Sequence, residues 1–490
     1  MYQITVLPNN QILSVEPGTN LLEALRAANL APDAPCGGNG TCGKCKVIVD
    51  GQEVLSCQTT VDRDMTVTLK KKAGLNILRT GVALDGKMDP LKEGNLIAFD
   101  IGTTSVVCFL LDGKTGEELA SASMLNPQTT FGADVISRIQ SALGGTMEQQ
   151  TAVIRGGMTK LIKQVCTETS IDPKTIGVVS VVGNPCMQQL FLGVSPKNLA
   201  GVPFAPVLTE AKTVDCTEVL PICENARLLV VPDISGYIGA DTMGCVLSTK
   251  MYESEEITLM VDIGTNGEMV LGSKDRMIAC STAAGPALEG ANIHFGMRGT
   301  EGAIDHVWVE EGELKCSVIG GGEAKGICGS GLIDAIAVLL ELQKLNKRGK
   351  MTSDTEVDGQ KVVYLKDSVY LTQDDVRQVQ MAKGAIYAGI ELMAKQLGIA
   401  ISDIQQVLLA GAFGNYLNPA SACRMGLLPE ELLERIVPVG NAAGSGAKLL
   451  ACDQSILPLS QTLTDRIEFL ELASLPEFSK TFAKSMSFRQ

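Results

Sequence analysis

The sequence predicts an α/β protein in two unequal parts, a small N-terminal β-grasp-like sheet and a large duplicated α/β region, joined by a linker. Three observations carry that expectation. Four cysteines stand among glycines at 36–57, residues 71–95 show glycines and a proline without periodicity, and one strand-Asp-Ile-Gly-Thr-strand pattern occurs twice. At 490 residues, 45% of them hydrophobic, the chain can bury several cores.

Within the first seventy residues, alternation in MYQITVLP and QILSVEP around Asn9-Asn10 marks a hairpin. TNLLEALRAANL reads as a helix with Asn20 as N-cap, Glu23 three residues on and an apolar face of Leu21, Leu22, Leu25 and Ala28. KVIVDGQEVLSC makes two strands about Asp50-Gly51, and MTVTLK alternates again.

Cys36, Cys42, Cys45 and Cys57 are spaced C-x5-C-x2-C-x11-C. Gly37, Gly38, Gly40 and Gly43 let such a loop wrap a cluster and aim backbone N–H groups at anionic sulfurs. The spacing compares with the plant-type [2Fe-2S] arrangement, C-x4-C-x2-C and a distant cysteine, lengthened by one residue. Zinc is the first alternative, weakened because only Cys42 and Cys45 form a knuckle pair, and disulfides are the second. The remaining cysteines of the 15 stand singly, at places such as Cys108, Cys166, Cys245, Cys280 and Cys452, and are expected to pack as small hydrophobes.

MYQITVLPNN lacks a basic segment leading into an apolar one, and no run reaches the roughly 18 apolar residues of a membrane span, so a cytoplasmic protein without membrane partners is expected. A net charge of −14, with Lys70-Lys71-Lys72 the longest basic run, argues against nucleic acid. Residues 71–95 read as a flexible linker with a reach on the order of 80 Å at about 3.3 Å per residue.

The duplicated pattern is NLIAFDIGTTSVVCFLL and TLMVDIGTNGEMVLG, which divides the rest into halves at 96–257 and 258–490. Gly102 and Gly264 allow close approach of phosphate oxygens, and Thr103, Thr104 and Thr265 offer hydroxyls. Asp100 and Asp262, ending buried strands, suit Mg²⁺ held through water. Neither a Walker motif nor a G-x-G-x-x-G opening a first βαβ unit is present. Glycine turns also precede helices in GICGSGLIDAIAVLLELQ, with Leu332, Ile333, Ile336, Leu339 and Leu340 on the apolar face, in VLLAGAFGNYLNPASACRMGLLP and in VPVGNAAGSGAKLLA.

The paired DIGT hairpins with LLAGAFGNYL resemble the acetate and sugar kinase/Hsp70/actin fold, a ribonuclease H-like ATPase architecture. Behind a ferredoxin-like domain, and with NPQTTFGADVISRI, VVGNPCMQQLFLG, PDISGYIGAD, AAGPALEGANIHFGMRGTEGAI and GICGSGLID in order, the chain is similar to the reductive activators of corrinoid-dependent enzymes over nearly its whole length. The resemblance implies an ATP-hydrolysing corrinoid-protein reductase that returns Co(II) to Co(I) for a methyltransferase system. It implies a [2Fe-2S] cluster on the four cysteines, ATP with Mg²⁺ on Asp100, Gly102, Thr103, Thr104, Asp262, Gly264 and Thr265, and adenosine near Gly329, Gly331, Gly411 and Gly414. Ser281 and Thr282 become candidates to face the corrinoid, His294 reads more readily as packed, and Arg298 and Glu289 fit an interface ion pair as well as a functional contact. The expected partners are a corrinoid protein and a low-potential electron donor such as a ferredoxin or flavoprotein, with a homodimer left open. Because only the linker separates the ferredoxin part from the first hairpin, a short form lacking the family's usual middle domain is expected. Three other readings stand beside this one: an ATP-driven activator of a 2-hydroxyacyl-CoA dehydratase, a small-molecule kinase, and a non-enzymatic redox sensor.

Overall fold

Alternating strands and tight turns build a five-stranded N-terminal sheet in the computed structural model, which describes residues 1–7, 10–28, 30–32, 40, 45–69, 81–82 and 86–488. Its strand order is Gln11–Val15, Tyr2–Leu7, Met65–Thr68, Lys46–Val49, Gln52–Leu55. Tyr2–Leu7 runs parallel to Met65–Thr68 and antiparallel to Gln11–Val15. The helix Leu21–Ala27 covers the sheet, closing a core of Ile4, Val6, Leu22, Leu25, Val47 and Val67. Asp50 and Gly51, both left-handed at φ 48° and 88°, make the two-residue turn whose twist suits a hairpin. Asn20 caps the helix by accepting from the Leu22 and Glu23 N–H groups. Glu23 does not close a capping box; its carboxylate turns forward to Arg26 at 2.5 Å. The turn at Asn9 and the cysteines Cys36 and Cys42 lie outside the described residues.

The described part of the linker is not a free tether. Val82 packs against the central core with its carbonyl accepting from Ser445 Oγ, and Asp89 exchanges backbone hydrogen bonds with Cys452 and Gln454. These contacts lay residues 81, 82 and 86–89 along the helix Ala442–Cys452.

Beyond the linker the duplication extends well past the two hairpins. In the first half Asn95–Ile101, Ser105–Leu111 and Glu118–Leu125 form an antiparallel meander, extended on the other side by Ile176–Gly183 and Arg227–Val230 in parallel. The second half repeats this with Thr258–Ile263, Gly267–Gly272 and Met277–Thr282, then Gln406–Ala410 and Ile436–Gly440 in parallel. Strands flanked on both sides by structure read as near-continuous apolar runs, and Ile176–Gly183 is buried at every position.

After the fifth strand each half places an equivalent helix, Ala240–Thr249 and Ala442–Cys452, and these two pack on each other. They meet at glycine: a Cβ on Gly446 would fall 2.2 Å from the Gly244 carbonyl oxygen. Around this crossing one core draws on both halves, with Leu96, Val107 and Met243 from the first and Met260, Val270, Leu408 and Leu450 from the second. The helix N-termini therefore arrive together at the mouth between the halves, beside both hairpins. Of the singly placed cysteines, ten are buried and Cys316 is partly buried, all as free thiols.

Candidate functional site: a cleft between two matched hairpins

The two DIGT turns have the same local construction. Gly102 N–H donates to Ser105 O, and Gly264 N–H to Asn266 O, each at 2.9 Å, so each turn projects its hydroxyl residues from the end of a buried strand. The turns face one open cleft of about 920 Å³, solvent included. Asp100, Gly102, Thr103 and Thr104 line one wall, Asp262, Gly264, Thr265 and Gly411 the other. Gly411 is left-handed at φ 81°, and a Cβ there would lie 2.4 Å from Asp262 Oδ1, so only glycine fits.

Neighbours hold the walls in place. Asn126 donates from its side chain to Gly102 O at 2.8 Å, Arg138 donates to Thr103 O, and Asn184 Nδ2 donates to Thr103 Oγ1 at 3.0 Å. Across the cleft, Asn441 Nδ2 donates to Asp100 Oδ2 at 3.0 Å. Arg138 is wholly buried and also donates to Gly132 O, so the first hairpin rests on a fixed cation. Glu289 touches both turns: its Oε2 accepts from Thr265 Oγ1 at 2.9 Å and from Thr104 Oγ1 at 3.4 Å.

Five carboxyl groups share this cleft: Asp100, Asp241, Asp262, Glu268 and Glu289. Burial, then the charge of Asp241, pushes Asp100 up to about 7, with Asn441 acting the other way. Asp262 is pushed up to about 7 by burial and by Asp241, Asp100 and Glu289, and Asp241 to about 6 by burial. Glu268 lies well above the usual carboxylate range for the same reasons, and Glu289 is raised by burial against the pull of Thr265 and Arg298. Acids raised mainly by burial, and in Asp100, Asp262 and Glu268 also by neighbouring acids, are the donor set a divalent cation neutralises, so the residues fit Mg²⁺ delivered with a nucleotide.

The structure thus brings together Asp100, Gly102, Thr103, Thr104, Asp262, Gly264, Thr265 and Gly411. Gly329, Gly331 and Gly414 are not in the cleft lining. Gly331 sits where a Cβ would meet Ile304 O at 2.3 Å, a close approach of the helix Gly329–Glu341 to the strand Ala303–Glu310. Ser281 is partly buried and donates to Glu268 Oε1 at 3.3 Å, whereas Thr282 is 3% exposed and donates to Gly267 O, so its hydroxyl is turned into the sheet and away from any docked partner. His294 is exposed, stacked on Tyr370 with its Nε2 3.3 Å from that hydroxyl, so its packing is on the surface. Asp241, Glu268, Asn184 and Asn441 complete the site and were not singled out from the sequence.

In the N-terminal sheet, Cys45 directly precedes the strand Lys46–Val49 and Cys57 lies in the turn Ser56–Gln58. Both are buried, and their sulfurs are 3.2 Å apart. That separation exceeds a disulfide bond and suits two thiolates ligating one cluster. Gly40, the described residue of the glycine loop, is left-handed at φ 78°. The thiol pair, the loop glycine and the surrounding sheet fit a [2Fe-2S] group, whose other expected ligands, Cys36 and Cys42, lie outside the described residues.

A duplicated nucleotide-type cleft behind an iron–sulfur carrier defines an ATPase fused to an electron-transfer domain. Comparison with known proteins sharpens the class. Family models match in three consecutive stretches: the 2Fe-2S iron-sulfur cluster binding domain at 4–69, the RACo middle region at 96–254, and the C-terminal domain of RACo, the ASKHA domain, at 256–490. The corrinoid activation enzyme RamQ of Eubacterium limosum is 38% identical over 80% of this chain and 70% of its own length. The [Co(II) methylated amine-specific corrinoid protein] reductase of Methanosarcina barkeri is 27% identical over 80% of this chain and 76% of its own length. A solved reductive activator for corrinoid, iron-sulfur protein superposes with a TM-score of 0.74 at 28% identity, covering 100% of this chain and 98% of that one. The chain belongs to the family of corrinoid activation enzymes. The expectation of a missing middle domain is corrected, because the middle-region model matches the residues that form the first half of the duplication. Among the described residues no helix is long and apolar enough to cross a membrane.

Proposed function

We infer that the protein is an ATP-dependent reductive activator that passes one electron from its [2Fe-2S] cluster to the Co(II) of a corrinoid protein, returning it to Co(I). The observation that carries the ATP half is the convergence of two matched acid-and-threonine hairpins on one cleft. The electron half rests on the cluster domain and on relatives named as a corrinoid activation enzyme and a corrinoid protein reductase.

Energetics explain why both halves share one chain. Plant-type clusters lie near about −400 mV, and for a one-electron step each 59 mV uphill costs about 1.4 kcal/mol. A cobalt couple about 0.1 to 0.2 V lower is then disfavoured by roughly 2 to 5 kcal/mol, which nucleotide binding and hydrolysis can offset only through different affinity for two conformations. Bound Mg²⁺ would neutralise the crowded carboxylates and polarise the phosphates. The chain's own part is to hold the phosphates on Gly102, Thr103, Thr104, Gly264 and Thr265, with Asp100 and Asp262 toward the cation and Gly411 leaving room beside Asp262.

On this reading 1–70 carries the cluster on Cys36, Cys42, Cys45 and Cys57, 71–95 connects, and 96–257 with 258–490 close on nucleotide. Of the corrinoid candidates Ser281 retains a partly open position. A ferredoxin or flavoprotein fills the cluster, and a homodimer is the assembly to test by mass measurement. The decisive experiment mixes reduced protein, MgATP and a Co(II) corrinoid protein without oxygen and follows Co(I) absorbance. Its appearance only with MgATP supports the reading; ATP turnover indifferent to corrinoid but stimulated by a sugar or an acid overturns it in favour of a kinase.

A further inference from the structure

The threonine hydroxyls that face the phosphate site are already engaged. Thr265 and Thr104, one from each hairpin, both donate to the same oxygen of Glu289. A hydroxyl has one proton to give, so a phosphate oxygen that takes it must displace this carboxylate. Glu289 lies directly over the second turn, with its Oε1 3.7 Å from the position a Cβ on Gly264 would take. Its carboxylate therefore sits at the midpoint of the two hairpins, bonded as a phosphate oxygen would be.

The backbone around it is set up for a local change. Glu289 ends the short helical turn Pro286–Glu289, between Gly285 and Gly290, both left-handed at φ 76° and 80°. Leu288 anchors this turn in the second-half core, while Glu289 itself is only partly buried at the cleft wall. Its charge is felt by Arg298, further along the same loop, and by Arg138 beneath the first hairpin.

We propose that Glu289 is a placeholder for the terminal phosphate: it bridges Thr104 and Thr265 when no triphosphate is bound, and only a nucleotide that brings a γ-phosphate displaces it. The proposal rests on the reading of the cleft as an ATP site and adds what makes that site answer to ATP rather than ADP. Displacement turns the Glu289 side chain out of the cleft and loosens residues 289–299, the loop that leads from the nucleotide site to the exposed His294. The diphosphate leaves the bridge intact and the loop in place.

The test measures equilibrium binding of a non-hydrolysable ATP analogue and of ADP, each with Mg²⁺, to the full-length protein and to Glu289→Ala and Glu289→Gln. Removing a competing acceptor is expected to tighten analogue binding by about ten-fold in Glu289→Ala, less in the amide variant, with ADP affinity within about two-fold of wild type. Hydrogen exchange on wild type supplies a second readout, with faster exchange at 286–299 on binding the analogue and none on ADP. Equal affinities in all three proteins, or weaker analogue binding in Glu289→Ala, overturns the placeholder. Failure of the wild type to bind either nucleotide overturns the ATP site itself, a different result from the first two. Should Glu289→Ala not fold, the Glu289→Gln affinities and the wild-type exchange pattern decide.

Discussion

Replacing Gly446 with alanine tests the idea that the helix crossing sets the spacing of the two hairpins. The added Cβ would lie 2.2 Å from the Gly244 carbonyl oxygen and 2.3 Å from its Cα, backbone atoms that no rotamer change can move. Ordinary contacts are near 3.5 Å, so the helices Ala240–Thr249 and Ala442–Cys452 must part by about 1 Å or more. Overpacking of this kind costs about 1 to 3 kcal/mol. The same displacement carries Asn441, the cap of the second helix, away from Asp100, and a 3.0 Å hydrogen bond stretched by that amount is lost. Gly446→Ala should therefore unfold at lower urea concentration and also bind MgATP several-fold more weakly, by about 1 kcal/mol for one lost hydrogen bond. Gly156→Ala is the control. Gly156 is exposed inside the helix Met147–Thr169 with nothing within 4 Å of a new Cβ, so the same substitution there should stabilise by about 0.5 to 1 kcal/mol and leave binding alone. If Gly446→Ala matches wild type in both assays, the crossing does not set the cleft.

Further outcomes follow from the same geometry. Asp100 and Asp262 rise from 3.8 to about 7 and Asp241 from 3.8 to about 6 in the nucleotide-free fold. The folded state thus keeps protons the unfolded chain gives up near 3.8, so the stability these groups contribute is complete below about 4 and is lost as pH rises to 7. Binding of Mg²⁺ with nucleotide, which takes the ionised forms, should release protons at pH 6 and few at pH 8; titration calorimetry in buffers of different ionisation heat reads this, and no release at pH 6 would refute the crowded-acid account. Cys42→Ala should abolish cobalt reduction and the visible cluster absorbance while nucleotide affinity stays unchanged. Gly81→Val should weaken MgATP binding, because its Cβ would meet the Asn441 carbonyl oxygen at 2.3 Å and lift the linker from the helix that caps the cleft; unchanged affinity would show that the linker contact is passive. Arg26→Ala, which removes a guanidinium bonded to Thr130 O and 5.1 Å from the Phe131 ring centroid, should speed proteolytic separation of the cluster domain, and an unchanged cleavage rate would count against a docked domain.

The parts of the site written locally were legible. Asp-Ile-Gly-Thr carries its own turn chemistry, and its repetition announced a duplicated fold whose halves pair through equivalent helices. The cysteine spacing worked for the same reason, since Cys45 and Cys57 end adjacent strands that the Asp50-Gly51 turn brings together. What stayed hidden were the residues that reach the cleft only through tertiary packing. Asp241 and Asn441 come from the first turns of the paired helices, and the sequence signal for them was the duplication itself, had it been followed past the hairpins to the end of each half. Glu268 was signalled by broken symmetry: it is the cross-strand partner of Asp262, where the first half pairs Asp100 with Val107. The glycines at 329 and 331 were ambiguous because a glycine before a helix serves an anion or a close packing contact equally well, and Gly331 does make room for a strand.

Electrostatics and packing act in opposite directions at this cleft, and their opposition is what gives a nucleotide leverage. Five carboxyl groups contributed by both halves repel one another as soon as they ionise, which favours separation of the walls. A shared apolar core and a glycine-to-glycine helix crossing hold the halves together just behind them. Mg²⁺ bound with a triphosphate would screen the acids locally, and the phosphate oxygens would give the threonines new acceptors, while the core behind them is untouched. On the function proposed above, the nucleotide's affinity has to be greater for walls held together than for walls apart, which is the thermodynamic condition for ATP to drive a conformational change. That change has a path to the electron carrier. Residues 81, 82 and 86–89 of the linker lie on the helix that begins after Asn441, and the loop that receives Arg26 of the cluster domain is the one whose Asn126 supports Gly102. The walls of the cleft and the contact of the cluster domain are thus adjacent, so a movement of the walls on nucleotide binding would, on the proposed function, act where the electron has to be delivered.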